Sequence, residues 1–511
     1  MNAKSRTKNS FRNMAITACC QFTLLIFSFV TRTIFIDALG TDYLGINGLY
    51  SNILSVLSMA DLGIGSAIAY ALYKPIARGD EREISTLMNY YKKLYHYIAL
   101  GVAAVGLCIV PFLNVLVKTE QQIDQFHLIA YYLLFLANSV TSYLLAYKST
   151  MLLADQNSHI VRISHTFFSI AANIGELLVL KYTGNYIAYL LIQLACTLLN
   201  NLIIAFIVDK KYSFIKNYHD KLSKEKRTNI FTNVKCMFFY KIGGVIVNNT
   251  DNILISAIIS TTIAGLYSNY TLIVNAVLQF IDYLLNSITG SIGNLNASGD
   301  KKNSEKIFNS LTVFNFWLFG FCSAMLFALI DDFIRLWLHK ESFILGTAML
   351  IATVGNIFFT GIMRSMAAFR ETTGIFRQTR YIFAFTSVLN IILSIIMGKT
   401  LGLSGIIFAT IISKALTCFW YEPYMLYKHF FGTSCLKYFA RQFLFIFIEA
   451  VVCTAIYFIK PLLPSLSYTT FILEAVIAAA IFNAVFLIVF GPTKEFRFML
   501  GKMKNLLFKK K

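Results

Sequence analysis

Gly48-Leu49-Tyr50-Ser51-Asn52 returns 217 residues later as Gly265-Leu266-Tyr267-Ser268-Asn269, and each copy sits in a strongly apolar stretch. Five matching residues carry little weight alone, because apolar helices share composition. Other landmarks recur in the same order at nearly the same offset. Gly79-Asp80 returns as Gly299-Asp300, Asn173 as Asn390, and Val56-Leu57 followed by Asp61 as Val277-Leu278 followed by Asp282. The pattern predicts a duplicated chain in which each half is a membrane bundle. Internal repeats in a polytopic chain are a common construction of transporters, with the ligand site between the repeats.

Composition supports the membrane reading. The 511 residues are 57% hydrophobic and 14% charged, with a mean hydropathy of +0.64. Soluble domains carry about 25% charged residues, and a soluble core cannot hide this much apolar surface, whereas lipid can. The runs 98–117 and 471–490 do not alternate apolar with polar residues, which excludes barrel strands and leaves helices as the spanning element. Only 6 prolines interrupt them. The expected fold is therefore an all-α polytopic membrane protein.

A spanning helix needs about 20 mainly apolar residues. About fourteen such spans are expected, near 13–36, 44–73, 94–117, 127–153, 160–181, 185–208, 236–260, 263–296, 307–337, 343–369, 376–398, 402–428, 440–460 and 467–491. The second and eighth are long enough to tilt or to extend beyond the bilayer. The first is read as a retained helix, since no small-residue cleavage site closes it.

The formal net charge of +20 would suggest nucleic acid in a soluble protein. Here the positive charge lies between apolar runs and reads as topology. With the N-terminus inside, alternate loops hold Lys74, Arg78, Lys92 and Lys93, then Lys210 to Arg227, then Lys301, Lys302 and Lys306, while the opposite loops hold about one lysine each. Both termini are expected to be cytoplasmic. The inner loops also invite contact with membrane lipids. The most polar internal segment is 209–235, where the first repeat should end. The expected plan is an N-lobe over 1–208, a basic linker over 209–235, a C-lobe over 236–430, and two added helices with a basic tail over 431–511.

Charges inside spans are costly, about 2.5–3.5 kcal/mol each on insertion scales. Arg32, Lys241, Arg364 and Lys414 fall within spans and form a candidate cationic pocket. Such a pocket in low dielectric favours an anion, and arginine matches phosphate oxygens with its planar fork. Snorkelling to an interface is the bland reading, strongest for Lys241 and weakest for Lys414. Asp61, Asp251, Asp282 and Glu176 are candidates for ion coupling or for a structural role at the repeat interface. Glu449 lies outside the repeats and is not assigned to the ligand.

The sequence holds no GxxxxGK[ST] phosphate loop and no GxSxG nucleophile motif. His159 and His165 lack an acidic zinc-motif companion, and there is no CxxC pair. The reading is thus of a non-enzyme without catalytic residues, metal or cofactor, driven by a proton, sodium or substrate gradient.

Arg32 to Phe35, Leu39-Gly40, Tyr43 to Tyr50, Leu57 to Ile68 and Leu72 to Pro75 closely resemble the start of bacterial polysaccharide transporters. These are the Wzx-like oligosaccharide flippases of the multidrug/oligosaccharidyl-lipid/polysaccharide (MOP) superfamily. The resemblance implies six plus six helices with two added, in the bacterial cytoplasmic membrane. It implies transfer of an undecaprenyl-diphosphate-linked oligosaccharide to the outer leaflet for capsule, O-antigen or exopolysaccharide assembly. Polysaccharide polymerase and glycosyltransferases are the implied partners. Arg32 lies within the matching motif; Arg364 and Lys414 extend the site from position alone. A lipid II flippase and a cation-coupled multidrug exporter share the plan and remain alternatives. A membrane glycosyltransferase or polymerase would want a large outer loop, which the sequence lacks.

Overall fold

The computed structural model describes residues 3–58, 64–118, 123–155, 157–218, 220, 222–224, 227–228, 250–297, 300–373, 375–498 and 501. Among these the chain is helical, without strand. Among the described residues, nine helices are long and apolar enough to cross a membrane, or ten if one bent pair counts as a single span. Leu178, Leu199 and Phe206 are among many large apolar side chains left exposed. Such faces would aggregate in water and are at home against acyl chains. The protein is a multi-pass membrane protein.

The helices fall on the expected spans with informative departures. Of the second span, the helices Thr41–Leu57 and Ile64–Arg78 lie among the described residues. Ser58 closes the first of them, its hydroxyl turned back onto the Ser55 carbonyl at 2.7 Å, a local bond that competes with helix continuation. The fourth span bends by 43° between Gln125–Leu144 and Ala146–Ala154. Spans eleven and twelve meet at Gly402, whose φ of 64° reverses the chain inside Phe376–Leu416, a conformation open to glycine without steric cost. Of the seventh span only Thr250–Ile259 is described, so the expected lobe start at 236 lies outside the described residues. The eighth, Thr261–Ala297, is a continuous helix of 37 residues.

The chain forms two compact units, Met1–Gly265 and Leu266–Lys511. In the first, Ala3–Leu39 packs on Ser158–Thr183, which packs on Tyr186–Lys211, and that helix on Gln125–Leu144. An aromatic knot of Phe35, Tyr43, Tyr131, Tyr186 and Tyr189 ties Ala3–Leu39, Thr41–Leu57, Gln125–Leu144 and Tyr186–Lys211 together, mostly edge to face, the arrangement that ring quadrupoles favour. In the second, Lys301–Leu338 is the hub. The two added helices, Leu436–Ile459 and Tyr468–Phe490, pack directly on it. Phe316 on the hub stacks on Phe445 with ring centroids 4.2 Å apart and also meets Phe482, Phe486 and Phe490.

The repeated landmarks have physical roles. Asp80 and Asp300 are both helix N-caps with nearly the same backbone angles, accepting from the Glu83 and Asn303 amides at 2.9 and 3.1 Å. Asn173 accepts from Thr31 at 3.0 Å, and Asn390 donates to Thr410 at 3.0 Å. Both are amide links between neighbouring helices. A break precedes Thr41 at Gly40 and precedes Thr261 at Ser260. The first turns of these two helices then touch reciprocally, within the first unit. Gly45 faces the Thr261 carbonyl, and Gly265 faces the Thr41 carbonyl. The Thr262 hydroxyl donates to the Asp42 carboxylate across the same contact. Residue-for-residue exchange of this kind marks a local two-fold relation.

Candidate functional site

The first unit holds a polar cavity of about 420 Å³ inside its apolar helices. Three helices line it, each with a polar stripe. Asn138 and Ser142 come from Gln125–Leu144; His165, Ser169, Asn173 and Glu176 from Ser158–Thr183; Gln193, Thr197 and Asn200 from Tyr186–Lys211. The spacings of three and four place each set on one helix face. Glu176 is buried and is the only acid lining the cavity among the described residues. Its carboxylate accepts from the Tyr189 hydroxyl, and Tyr189 also neighbours the Arg32 guanidinium. The structure therefore brings Arg32 and Glu176 together around Tyr189, and joins their helices through Thr31 and Asn173. A lone buried carboxyl among amides and hydroxyls can hold a proton or a small cation.

The second unit holds two nominated cations. Arg364 opens the helix Arg364–Thr373 and pairs with Asp282 through Nη2. Both side chains stay accessible, at 42% and 45%. One contact occupies one of five guanidinium donors, so the fork keeps capacity for another anion. Lys414 donates to Thr360 Oγ1 at 2.9 Å and Asn356 Oδ1 at 3.4 Å. Thr360 precedes Arg364 by four residues, about one helical turn. Lys414 thus binds side chains on the last two turns of Thr347–Ile362, and Arg364 opens the helix that follows.

Asp251 is half-buried at the start of Thr250–Ile259. Lys241 and Asp61 lie outside the described residues. Glu449 is buried in the added helix, with Cys453 Sγ 3.8 Å away. Sequence reasoning missed the amides and hydroxyls around Glu176, because it weighed only formal charges. The four-residue spacing of His165, Ser169 and Asn173 in an apolar helix was the available signal. It also missed the buried pair Arg370 and Glu422, which are 52 residues apart.

The first unit thus sets a polar cavity behind apolar outer faces, and the second holds paired charges within apolar helices. The chain belongs to the polysaccharide biosynthesis protein family, whose sequence profile matches residues 10–290. Its fold is that of MOP superfamily transporters. It resembles a lipid II flippase, MurJ, in an inward closed conformation, with a TM-score of 0.65 at 16% identity, over 93% of this chain and 99% of the other. It resembles a multidrug resistance MATE family transporter of that superfamily, inward-facing, with a TM-score of 0.61 at 14% identity, over 77% and 91%. A MOP superfamily transporter from Pyrococcus furiosus, described as having a binding pocket of reverse polarity, gives 0.54 at 14% identity, over 79% and 91%. A search of curated proteins found no match.

Proposed function

We propose that this protein is a flippase for an undecaprenyl-diphosphate-linked oligosaccharide, working by alternating access in the bacterial cytoplasmic membrane with both termini inside. The family match over residues 10–290 carries this reading. Arg364 and Lys414 offer the diphosphate a planar fork and a point charge. Asp282 is the internal competitor: when the head group leaves, the carboxylate takes back the guanidinium. A ligand shifts an equilibrium only through differential affinity for its states, and this exchange supplies a difference. Glu176 is proposed to carry a coupling proton; a sodium ion is the other candidate. Arg32 and Lys241 complete the proposed cationic set, with Asp61 and Asp251 as further coupling candidates. Glycosyltransferases and a polymerase would supply and consume the substrate.

Liposome reconstitution with a fluorescent undecaprenyl-diphosphate oligosaccharide tests the reading by leaflet transfer. Arg364→Ala and Lys414→Ala should each slow transfer tenfold or more, since a charge-assisted hydrogen bond contributes about 1.5–3 kcal/mol. Asp282→Asn should bind the head group more tightly and release it more slowly. Glu176→Gln should leave transfer insensitive to an imposed pH gradient. Wild-type rates in every variant would remove these residues from the site. Absence of oligosaccharide transfer alongside transfer of lipid II would favour the second reading, a lipid II flippase, which the likeness over 93% of the chain supports.

A further inference from the structure

A second polar site lies away from these charges, at the membrane boundary of the first unit. The segment after Tyr186–Lys211 turns back and lies along the start of the helix Glu81–Ile109. Specific bonds hold it there. Ser85 Oγ donates to the Phe214 carbonyl at 3.1 Å, and Asn89 Nδ2 to the Tyr218 carbonyl at 2.7 Å. Arg82 grips Asp220 with two nitrogens at 2.6 and 3.3 Å. Leu222, further along the segment, is buried.

Helix and segment enclose a cleft of about 900 Å³ lined by Lys92, Lys93, His96 and Arg227, with Tyr90 and Tyr97. Lys92, Lys93, His96 and Arg227 are all exposed. His96 Nδ1 donates to the Lys92 carbonyl at 2.6 Å, which assigns the proton of the neutral ring to that nitrogen. Among the described residues the acid in the lining is Asp220, and it is engaged by Arg82. That hydrogen bond holds its carboxyl below the ordinary value, so its charge belongs to the Arg82 pair at neutral pH.

The cleft opens onto an apolar stripe of the same helix. Tyr97, Leu100 and Leu107 follow Lys93 at spacings of four, three and seven, all on one exposed face. Tyr97 is 72% exposed and Leu100 68%, the exposure expected of residues that meet lipid. A tyrosine between lysines and leucines marks the interfacial level of a membrane helix. Basic groups above and an acyl-sized stripe below match one kind of molecule.

We propose that this cleft binds an anionic phospholipid, its phosphodiester head group held by Lys92, Lys93 and Arg227 and its acyl chains lying along Tyr97, Leu100 and Leu107. The inference does not rest on the proposed transport activity. A free phosphate would use the cations and leave the stripe bare.

Native mass spectrometry of the purified full-length protein, released from mixed phosphatidylcholine and phosphatidylglycerol micelles, tests it. The wild type should retain phosphatidylglycerol selectively. The triple variant Lys92→Ala/Lys93→Ala/Arg227→Ala should lose that selectivity by tenfold or more. The charge-matched control Lys301→Ala/Lys302→Ala/Lys399→Ala should keep it, and Tyr97→Ala/Leu100→Ala should hold the lipid more weakly. Equal losses in the two triple variants would overturn the site in favour of diffuse surface charge. Equal retention of both lipids by the wild type would overturn it as well. Displacement of the lipid by millimolar inorganic phosphate, with Tyr97→Ala/Leu100→Ala unaffected, would make it a phosphate site instead. All substituted cations are exposed, and thermal melts of each variant confirm intact folding.

Discussion

Gly45→Ala is expected to yield little folded protein, or protein that melts far below wild type. A Cβ at this position would lie 1.9 Å from the Thr261 carbonyl oxygen and 2.7 Å from its carbon. Backbone on both sides cannot swing aside as a flexible side chain would. Overpacking of a tight contact costs about 1–3 kcal/mol, and a clash with backbone should reach or exceed the top of that range. Gly265→Ala should behave alike, since its Cβ would meet the Thr41 oxygen at 2.4 Å. Gly48 supplies the control. It lies in the same helix with nothing within 4 Å of a built Cβ, so Gly48→Ala should be neutral or stabilising by up to about 1 kcal/mol. Detergent-phase melting followed by size-exclusion fluorescence separates these outcomes. A Gly45→Ala protein as stable as wild type would show that the two helix starts do not meet this closely.

Arg370→Ala should be the most damaging single change in the second unit. Arg370 and Glu422 are ion-paired with side-chain exposures of 10% and 4%, and the Arg370 guanidinium carbon lies 4.5 Å from the Phe383 ring centroid. Removing the arginine leaves a carboxylate in low dielectric without its counter-charge, a change worth about 3–5 kcal/mol. The double variant Arg370→Met/Glu422→Leu removes both charges and keeps the volume. It should recover most of the loss, because well-packed apolar pairs replace buried ion pairs at little cost. Melting temperatures of the single and double variants decide the matter. A double variant as unstable as Arg370→Ala would assign the loss to packing against Phe383 instead of to the stranded charge.

Much of the fold was legible because lipid imposes a simple length rule on the sequence. The helices Ser158–Thr183, Tyr186–Lys211 and Tyr468–Phe490 lie within a few residues of their expected spans. Asp80 and Asp300 were visible as repeated letters, and their capping role followed once helices were placed behind them. The helix end at Ser58 was not legible. Hydropathy runs unbroken through 44–73 and does not mark the C-cap of Thr41–Leu57. The nominated charges were visible in the sequence, but their pairing was not. Arg364, Lys414 and Asp282 each stood out by their cost in an apolar run, without any sign of which would meet. Asp282 lies 82 residues from Arg364, and no local pattern joins residues so far apart. The cavity around Glu176 escaped because amides and hydroxyls change hydropathy little, although their helical spacing was in plain view.

The reciprocal contact at Gly45 and Gly265 bears on descent. By sequence offset, residues 250–265 match the end of the first helix and the start of the second, yet they pack with the opening part of the chain. A gene holding one copy would have encoded a polypeptide with this notch exposed and its complement on the same surface. Two such polypeptides, inserted in the same orientation, would close it across an isologous interface. A chain duplicated from it would carry both sides of that notch in one polypeptide. On the repeat alignment Gly265 answers to Gly48 and Gly45 to Thr262, so the notch would have joined two different positions of the ancestral chain.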